Sequence, residues 1–325
     1  MNNKNYRWGI LGAGRIAEKF CTALAVVKGS EVYAVASRNE DRAKEYAAKF
    51  NASKWYTNYD DLLKDKEVDI VYIATPHSFH HQQAIACLQN GKAVLCEKPM
   101  SLSYRQTKEM IDTATERKLF LMEGMWTACM PSIKKIQSLI EEDVIGAPQF
   151  LSADFGFAAP LDLESRLYNK SLGGGSIMDV GIYPIALATL LFGEPTVIKT
   201  IARLAATGVD EYANIICQFS NGASAQLISS ICFQTAIEAE IVGTKGRIKI
   251  NNPWFKATDF SVILEDGTDQ AYSFPHLGNG FGHEIMEVMH CLDNGLLQST
   301  KVTHQLTLSV SRIMETVLEQ AGVEY

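Results

Sequence analysis

The chain begins with a strand, a glycine-rich turn and a helix in immediate succession. The sequence predicts a strand in RWGIL at residues 7–11, a turn in GAGRIA at residues 12–17 and a helix at residues 18–26. Gly12 would permit the tight turn, and Gly14 would let the backbone approach a pyrophosphate at the helix N-terminus. Because the glycines stand between a strand and a helix, they predict a dinucleotide-binding Rossmann domain.

The end of the second predicted strand bears on the choice of cofactor. Residues 31–36 lead into Ser37 and Arg38, roughly 20 residues after the glycines, where NAD-binding proteins usually carry an acid for the ribose hydroxyls. A serine hydroxyl and a planar guanidinium can instead donate to a 2′-phosphate, and a guanidinium can stack on adenine. The sequence therefore favours NADP, with NAD possible, and Arg15 and Ile16 of the turn complete this part of the cofactor site.

A nearly continuous apolar run at residues 68–74 is typical of a parallel strand covered on both faces. The polar residues that follow it are Thr75, Pro76, His77, His80 and His81. Thr75 and Pro76 would lie at the carboxyl edge of the sheet, where the nicotinamide ribose would pass. We expect one or two of the histidines to line the cofactor site. No metal site is expected, since zinc normally takes three or four convergent ligands.

A second buried strand, at residues 93–96, is followed directly by Glu97, Lys98 and Pro99. In an open parallel sheet, ligands bind at the carboxyl ends of the strands, so a lysine there is a candidate for chemistry. Glu97 is better placed to contact the cofactor ribose than to react.

The pattern of strands changes in the second half of the chain. From residue 149 onward, apolar and polar residues alternate along the predicted strands, and turn residues typical of hairpins separate one strand from the next. This pattern predicts an antiparallel sheet with one face covered by helices. The fold class is therefore α/β, with a Rossmann domain at residues 1–123 and an α+β domain on a large, mainly antiparallel open sheet at residues 124–325. A helix at about residues 303–320 is a candidate to pack on the first domain.

A glycine run at residues 173–175 introduces a predicted helix capped by Ser176, which carries Asp179 and Tyr183. Residues four apart on a helix lie on one face, so this carboxylate and phenol would project together. The two side chains form either a functional pair or a buried pair in which each satisfies the hydrogen-bonding needs of the other. Pro184 should kink or loosen the helix.

Composition excludes several other classes of protein. A net charge of −7 argues against binding to nucleic acid or a membrane surface. Seven scattered cysteines without a CxxC pair suggest reduced thiols, and the polar residues 1–6 show no secretory signal, so a cytoplasmic location is expected. The apolar run at residues 177–192 carries Asp179 and is not expected to span a membrane.

Together, the fingerprint at residues 12–17, Glu97-Lys98-Pro99 and the run at residues 173–183 resemble the Gfo/Idh/MocA family of NAD(P)-dependent oxidoreductases over essentially the whole chain. Residues 122–126 and 243–246 are similar to its branch of dimeric dihydrodiol dehydrogenases, NADP-dependent D-xylose dehydrogenases and glucose-fructose oxidoreductase. This resemblance implies a small diol or sugar substrate. It also implies a homo-oligomer, a dimer or tetramer, formed through the C-terminal sheet.

The resemblance also implies roles for single residues. Lys98 and Tyr183 would be catalytic, Asp179 would line the site, and Arg166 and His80 would approach the cofactor. Many family members carry His where this chain has Tyr183, and many carry Asn where it has His77. The tyrosine matches the diol and aldose branch, whereas His77 leaves the nicotinamide contact open.

The implied reaction transfers a hydride between nicotinamide C4 and a carbinol carbon. Either Tyr183 takes the hydroxyl proton, with the Lys98 ammonium favouring its phenolate, or Lys98 does so while Tyr183 orients the hydroxyl. The aromatic candidates for the substrate site are Trp126, Phe155, Trp254 and Phe281, with Trp126 and Trp254 preferred. The alternatives are an inositol, amino sugar or sugar nucleotide as substrate, or a non-catalytic protein that senses NADP(H).

Overall fold

The computed structural model describes residues 5–325, which cluster into two units. The first unit contains the described part of Met1–Trp126 together with His276–Thr307, and the second contains Thr127–Pro275 with Leu308–Tyr325. Part of the polar segment at residues 1–6 therefore lies outside the described residues.

The strands are β1 (Tyr6–Leu11), β2 (Ser30–Ala36), β3 (Lys54–Tyr56), β4 (Ile70–Ile73), β5 (Ala93–Glu97), β6 (Leu121–Gly124), β7 (Pro148–Gly156), β8 (Pro195–Leu204), β9 (Asp210–Phe219), β10 (Ser224–Ser230), β11 (Ala239–Gly243), β12 (Gly246–Ile250), β13 (Asp259–Leu264) and β14 (Asp269–Ser273). The α-helices are α1 (Arg15–Leu24), α2 (Glu40–Lys49), α3 (Tyr59–Lys64), α4 (His80–Gln89), α5 (Tyr104–Arg117), α6 (Pro131–Glu141), α7 (Ile182–Phe192), α8 (Gly282–Asp293) and α9 (His304–Ala321).

The first unit is built on a six-stranded sheet in the order β3-β2-β1-β4-β5-β6, with every pair of neighbours parallel. Strands β4, β5 and β6 are buried along their whole length, as expected for a sheet covered on both faces. The strand order reverses between β1 and β4, and ligands bind beside such a reversal at the carboxyl ends of the strands. The predicted Rossmann domain is confirmed.

The second unit contains an eight-stranded sheet in the order β14-β13-β12-β11-β7-β10-β9-β8. Strands β7 and β10 pair in parallel, whereas all the other neighbours are antiparallel. Helix α7 packs on β7 and β10, and buried positions alternate with more exposed ones along β9 and β10. The predicted mainly antiparallel sheet is confirmed, with one parallel pair that the hairpin signals did not indicate.

The division of the chain differs from the predicted boundary at residue 123. Residues 276–307, which the sequence places in the second domain, belong to the first unit because α8 packs against α1. The Tyr6 hydroxyl also donates a 2.9 Å hydrogen bond to Asp293. In α9, residues 304–307 belong to the first unit and the rest to the second.

One segment among the described residues, Lys170–Phe192, is long and apolar enough to cross a membrane by composition alone. In the sequence, Asp179 within the apolar run at residues 177–192 argues against such a span. Within the protein, 83% of its most apolar window is buried, as is usual for a core segment.

Candidate active site

The glycine turn has the geometry that its sequence predicts. Gly12 has φ +96°, and a Cβ there would lie 3.0 Å from the carbonyl oxygen of Ala74. At Gly14 a Cβ would meet nothing within 4 Å, so the backbone is open to a ligand on that side. Arg15 is exposed and Ile16 half-buried at the first positions of α1. The free N–H groups of this helix end suit a phosphate.

A cavity of about 280 Å³ adjoins this turn at the carboxyl edge of the sheet. Its lining contains three predicted residues, Arg38, Thr75 and Pro76. It also contains Tyr59 and Phe79, which sequence reasoning missed because nothing local links them to the glycine turn. The Arg38 guanidinium carbon lies 5.6 Å from the centre of the Phe79 ring, which is a cation–π distance.

These residues fit a phosphorylated dinucleotide. Arg38 is exposed at the cavity, whereas Ser37 is 7% exposed and its Oγ accepts a 3.2 Å hydrogen bond from the Asn39 N–H. Burial raises the pKa of Tyr59, although the Arg38 guanidinium acts in the opposite direction. The cavity therefore offers a cation and aromatic faces, which suit a phosphate and a planar base.

His80 differs from its expected role. The ring is fully buried, with Nδ1 2.8 Å from the Pro99 carbonyl oxygen and Nε2 2.9 Å from that of Thr75. Burial is also the main reason that its pKa is lowered. The buried ring thus connects the loops that carry Thr75 and Lys98. This position corrects the prediction that His80 approaches the cofactor directly.

The other two histidines have separate surroundings. His77 is half-buried, with its ring centre 5.7 Å from that of His80, and His81 lies 3.1 Å from Glu109. Within residues 5–325 there is no group of three or more His, Cys, Asp or Glu side chains suited to a metal ion.

Lys98 follows the buried end of β5, and its peptide bond to Pro99 is cis. Glu97 is 7% exposed and accepts a hydrogen bond from the Tyr72 hydroxyl. This burial argues against the predicted contact of Glu97 with a cofactor ribose. The Glu97 carboxyl belongs to the interior of the sheet, whereas the backbone carries Lys98 past the strand end.

In the second unit, a π-helical turn at Ile177–Gly181 precedes α7 and carries Asp179. Asp179 is 6% exposed and Tyr183 is 8% exposed. The Arg166 Nη1 lies 2.8 Å from Asp179 Oδ1, a pairing that the sequence did not indicate. Extra-residue turns of this kind are frequent at functional sites. The turn runs directly into α7, where Pro184 at the third residue removes a backbone donor.

The predicted helix cap at Ser176 is wrong. Its hydroxyl donates to Asp210 Oδ2 and also lies 2.8 Å from the Ser229 hydroxyl. The Ile177 N–H donates to the same Asp210 oxygen at 2.8 Å. Asp210, which sequence reasoning missed, therefore replaces the predicted cap at the start of the segment.

Two aromatic rings, Phe155 and Phe255, pack beside the Tyr183 ring. Phe155 and Phe255 stack on one another with centres 4.2 Å apart, and each lies 5.4 Å from the Tyr183 ring. Both phenylalanines are half-buried, so part of each ring faces outward. Phe155 is a predicted substrate residue, whereas Phe255 was missed.

The structure contradicts the prediction that Trp254 contacts the substrate. It is fully buried, and its Nε1 donates a 2.7 Å hydrogen bond to the Asp154 carbonyl oxygen, so it is a core residue. In the first unit, Trp126 and Phe281 stack with ring centres 4.4 Å apart and are 7% and 4% exposed. Both side chains are therefore buried.

Comparisons with known proteins agree with this geometry. Residues 6–125 match an oxidoreductase family with an NAD-binding Rossmann fold, and residues 133–249 match the GFO/IDH/MocA C-terminal domain. The trans-1,2-dihydrobenzene-1,2-diol dehydrogenase of Xenopus tropicalis is 34% identical, covering 98% of this chain and 99% of the relative. The human enzyme of the same name is 32% identical over 98% of each chain.

Solved structures show the same fold. KijD10, a 3-ketoreductase from Actinomadura kijaniata in complex with NADP and TDP-benzene, superposes with a TM-score of 0.88 at 25% identity, covering 99% of each chain. The aldose-aldose oxidoreductase of Caulobacter crescentus has a TM-score of 0.89 at 24% identity over 98% of each chain.

The fold and the site define an NAD(P)-dependent oxidoreductase that acts on CH–OH groups of a small molecule. Within that class, the chain belongs to the Gfo/Idh/MocA family.

Proposed function

We propose that this protein uses NADP to interconvert the carbinol and carbonyl forms of a vicinal diol or an aldose. The observation that carries the proposal is the pair of half-buried rings, Phe155 and Phe255, beside Tyr183. Aromatic faces next to a phenol suit a cyclic diol or a sugar ring, whose apolar face stacks while its hydroxyl meets the phenol. The dihydrodiol dehydrogenase relatives support a substrate of this kind.

Two residues would handle the proton. When bound, the nicotinamide supplies or accepts the hydride. Tyr183 is the second residue of α7, directly after the π-helical turn that carries Asp179. It would exchange a proton with the substrate hydroxyl, assisted by the Lys98 ammonium, or Lys98 would do so itself while Tyr183 orients the hydroxyl. Asp179 is paired with Arg166, so it would hold the segment that carries Tyr183.

The preference for NADP rests on the first unit. Arg38 is exposed at the cavity, and the chain has no acid at the end of β2 that would repel a 2′-phosphate. Thr75 and Pro76 line the same cavity from the end of β4.

A homo-oligomer, a dimer or tetramer, is part of the proposal. Along β8 and β9, large apolar side chains are exposed: Val197 at 43%, Ile201 at 74% and Ile216 at 49%. A contiguous apolar surface on a soluble domain commonly marks a protein interface. Sedimentation of the purified protein, compared with the Ile201→Lys variant, tests this part.

The function is tested by following NADPH absorbance with the purified protein. The panel contains trans-1,2-dihydrobenzene-1,2-diol, D-xylose and D-glucose with NADP, and the matching carbonyl compounds with NADPH, with NAD and NADH in parallel. The proposal expects turnover with a diol or an aldose and a preference for NADP.

The same assay separates the alternatives. Turnover with an inositol, an amino sugar or a sugar nucleotide, and with none of the diols and aldoses, would replace the proposed substrate class. Tight binding of NADPH without turnover on any compound would indicate a sensor of NADP(H).

A further inference from the structure

A buried carboxyl lies behind the turn that carries Lys98. Glu123 on β6 is 4% exposed and pairs in register with Cys96 on β5. Its Oε1 accepts a 2.8 Å hydrogen bond from the Met100 N–H, and its Oε2 accepts a 2.9 Å hydrogen bond from the Thr307 hydroxyl. The carboxyl therefore joins the backbone two residues after Lys98 to the first turn of α9.

The positive charge of the Lys98 ammonium lowers the pKa of the Glu123 carboxyl. Burial raises the pKa of Glu123, the hydrogen bonds from Thr307 and Met100 lower it, Lys98 lowers it further and Glu97 raises it, with a net value of about 7. A carboxyl with this pKa changes charge near neutral pH, where a dehydrogenase works. The effect is mutual, because the free energy by which the Lys98 ammonium stabilises the Glu123 carboxylate is also the free energy by which the carboxylate stabilises the ammonium.

Other titratable groups lie near Glu123. Cys96 and Glu97 belong to the neighbouring strand β5, and burial is the main cause that raises the pKa of Cys96 well above its usual value. On α9, the His304 ring lies 2.9 Å from the Leu121 carbonyl oxygen, and burial lowers its pKa. Cys96 and His304 are therefore uncharged near neutral pH.

Two further buried carboxyls of the first unit, Glu97 and Glu284, differ from Glu123 in their contacts. The Glu97 carboxyl accepts a hydrogen bond from the Tyr72 hydroxyl. Glu284 on α8 is fully buried, and within the described residues neither of its carboxyl oxygens has a hydrogen-bond partner. Burial, followed by the charge of Glu97, raises the pKa of Glu284 well above its usual value, so this group is neutral.

We propose that Glu123 is a positioning residue for Lys98, which fixes the Lys98-Pro99-Met100 turn through the Met100 N–H and opposes the ammonium with a buried carboxylate. This role rests on the proposed catalytic function of Lys98. Glu123 acts on the reaction only through Lys98, and it ties the reactivity of the lysine to α9 through Thr307.

The test measures Lys98 itself, so it does not depend on turnover. The purified protein is labelled with trace acetic anhydride between pH 6 and 11, and the modification of Lys98 is quantified by mass spectrometry. In Glu123→Gln the midpoint of Lys98 labelling should move to lower pH by at least about half a unit, because the ammonium loses an opposing charge. If the curves of the variant and the wild type superimpose, the proposal is overturned.

Two further variants complete this test. Glu287→Gln is a matched control, a buried glutamate of the same unit, and it should leave the Lys98 curve unchanged while lowering thermal stability. Thr307→Val removes one donor to Glu123 and retains the carboxyl. Since it leaves Glu123 less ionised at a given pH, its Lys98 curve should move in the same direction as that of Glu123→Gln, and by less.

Kinetics then separate positioning from folding. In Glu123→Gln we expect kcat to fall at least about tenfold and the pH profile of kcat/KM to change between pH 6 and 8, with the Kd for NADPH within about threefold of the wild type. An unchanged pH profile with a lowered melting temperature would reduce Glu123 to a structural residue. Absence of wild-type turnover would contradict the proposed function and would leave the labelling result valid.

Discussion

The Arg166 guanidinium lies 2.8 Å from Asp179, four residues before Tyr183. Asp179 is 8% exposed in its side chain and Arg166 is 56% exposed, so the pair joins the surface to a buried position on the π-helical turn. This pair gives Asp179 a part in holding its own segment in place.

Arg166→Ala should therefore act on the chemical step. We expect kcat to fall about tenfold with little change in the Kd for NADPH, because a buried carboxylate that loses an ion-pair partner allows its segment to shift. Arg166→Lys should recover part of the activity, since it keeps the charge but not the planar geometry. Steady-state kinetics and fluorescence titration with NADPH measure both quantities. A weakened NADPH complex with normal kcat would instead assign Arg166 to the cofactor, as the family resemblance implies.

Arg38→Ala should weaken NADPH selectively. Loss of a charge-assisted hydrogen bond to a 2′-phosphate should raise the Kd for NADPH about tenfold or more and leave that for NADH nearly unchanged. Lys44→Ala is the control, since it also removes a positive charge from this part of the chain and its ammonium pairs with Glu40. Equal losses for NADH and NADPH in Arg38→Ala would exclude the phosphate contact.

The adjacent residues Trp254 and Phe255 should separate stability from substrate binding. Trp254→Ala removes a fully buried core side chain and should cost about 3–5 kcal/mol of unfolding free energy. Phe255→Ala removes a half-buried ring beside Tyr183 and should mainly raise KM for a diol or sugar. Denaturant titration and kinetics on both variants test this contrast, which would be contradicted if Phe255→Ala left KM unchanged.

The same two residues show what a sequence can predict. The fold was predictable because its signals are local, and each depends only on residues that are neighbours in sequence. These signals are the glycine turn at residues 12–17, the continuous apolar strands of the first half and the strands with alternating apolar and polar residues in the second. Whether Trp254 or Phe255 faces outward depends on a 3₁₀ turn at Trp254–Lys256 that has no clear local signature. Tyr59, Phe79 and Asp210 were missed because distant segments bring them to their sites.

Glu287 makes stability depend on pH in a defined direction. Burial would raise its pKa, but hydrogen bonds from Ser299, Thr300 and Lys301 lower it to about 2. A lowered pKa stabilises the folded state above the unfolded value, so the contribution is complete from about pH 6 upward and is lost as the pH falls towards 2.

Glu287→Gln should therefore lower the free energy of unfolding by about 3 kcal/mol at pH 7. The difference from the wild type should shrink below about pH 4.5, as the unfolded-state carboxyl begins to take up its proton. Urea denaturation at pH 7, 5 and 3.5 measures this dependence. A difference that stayed constant down to pH 3.5 would show that the hydrogen bonds do not depend on the charge of Glu287.

In the proposed NADP-dependent reaction, Lys98 and Tyr183 move the proton. This is tested by single-turnover oxidation of NADPH by Lys98→Ala and Tyr183→Phe with a carbonyl compound that the wild type reduces. We expect each variant to bind NADPH with a Kd within about threefold of the wild type and to reduce the compound at least tenfold more slowly. Wild-type rates in both variants would contradict it.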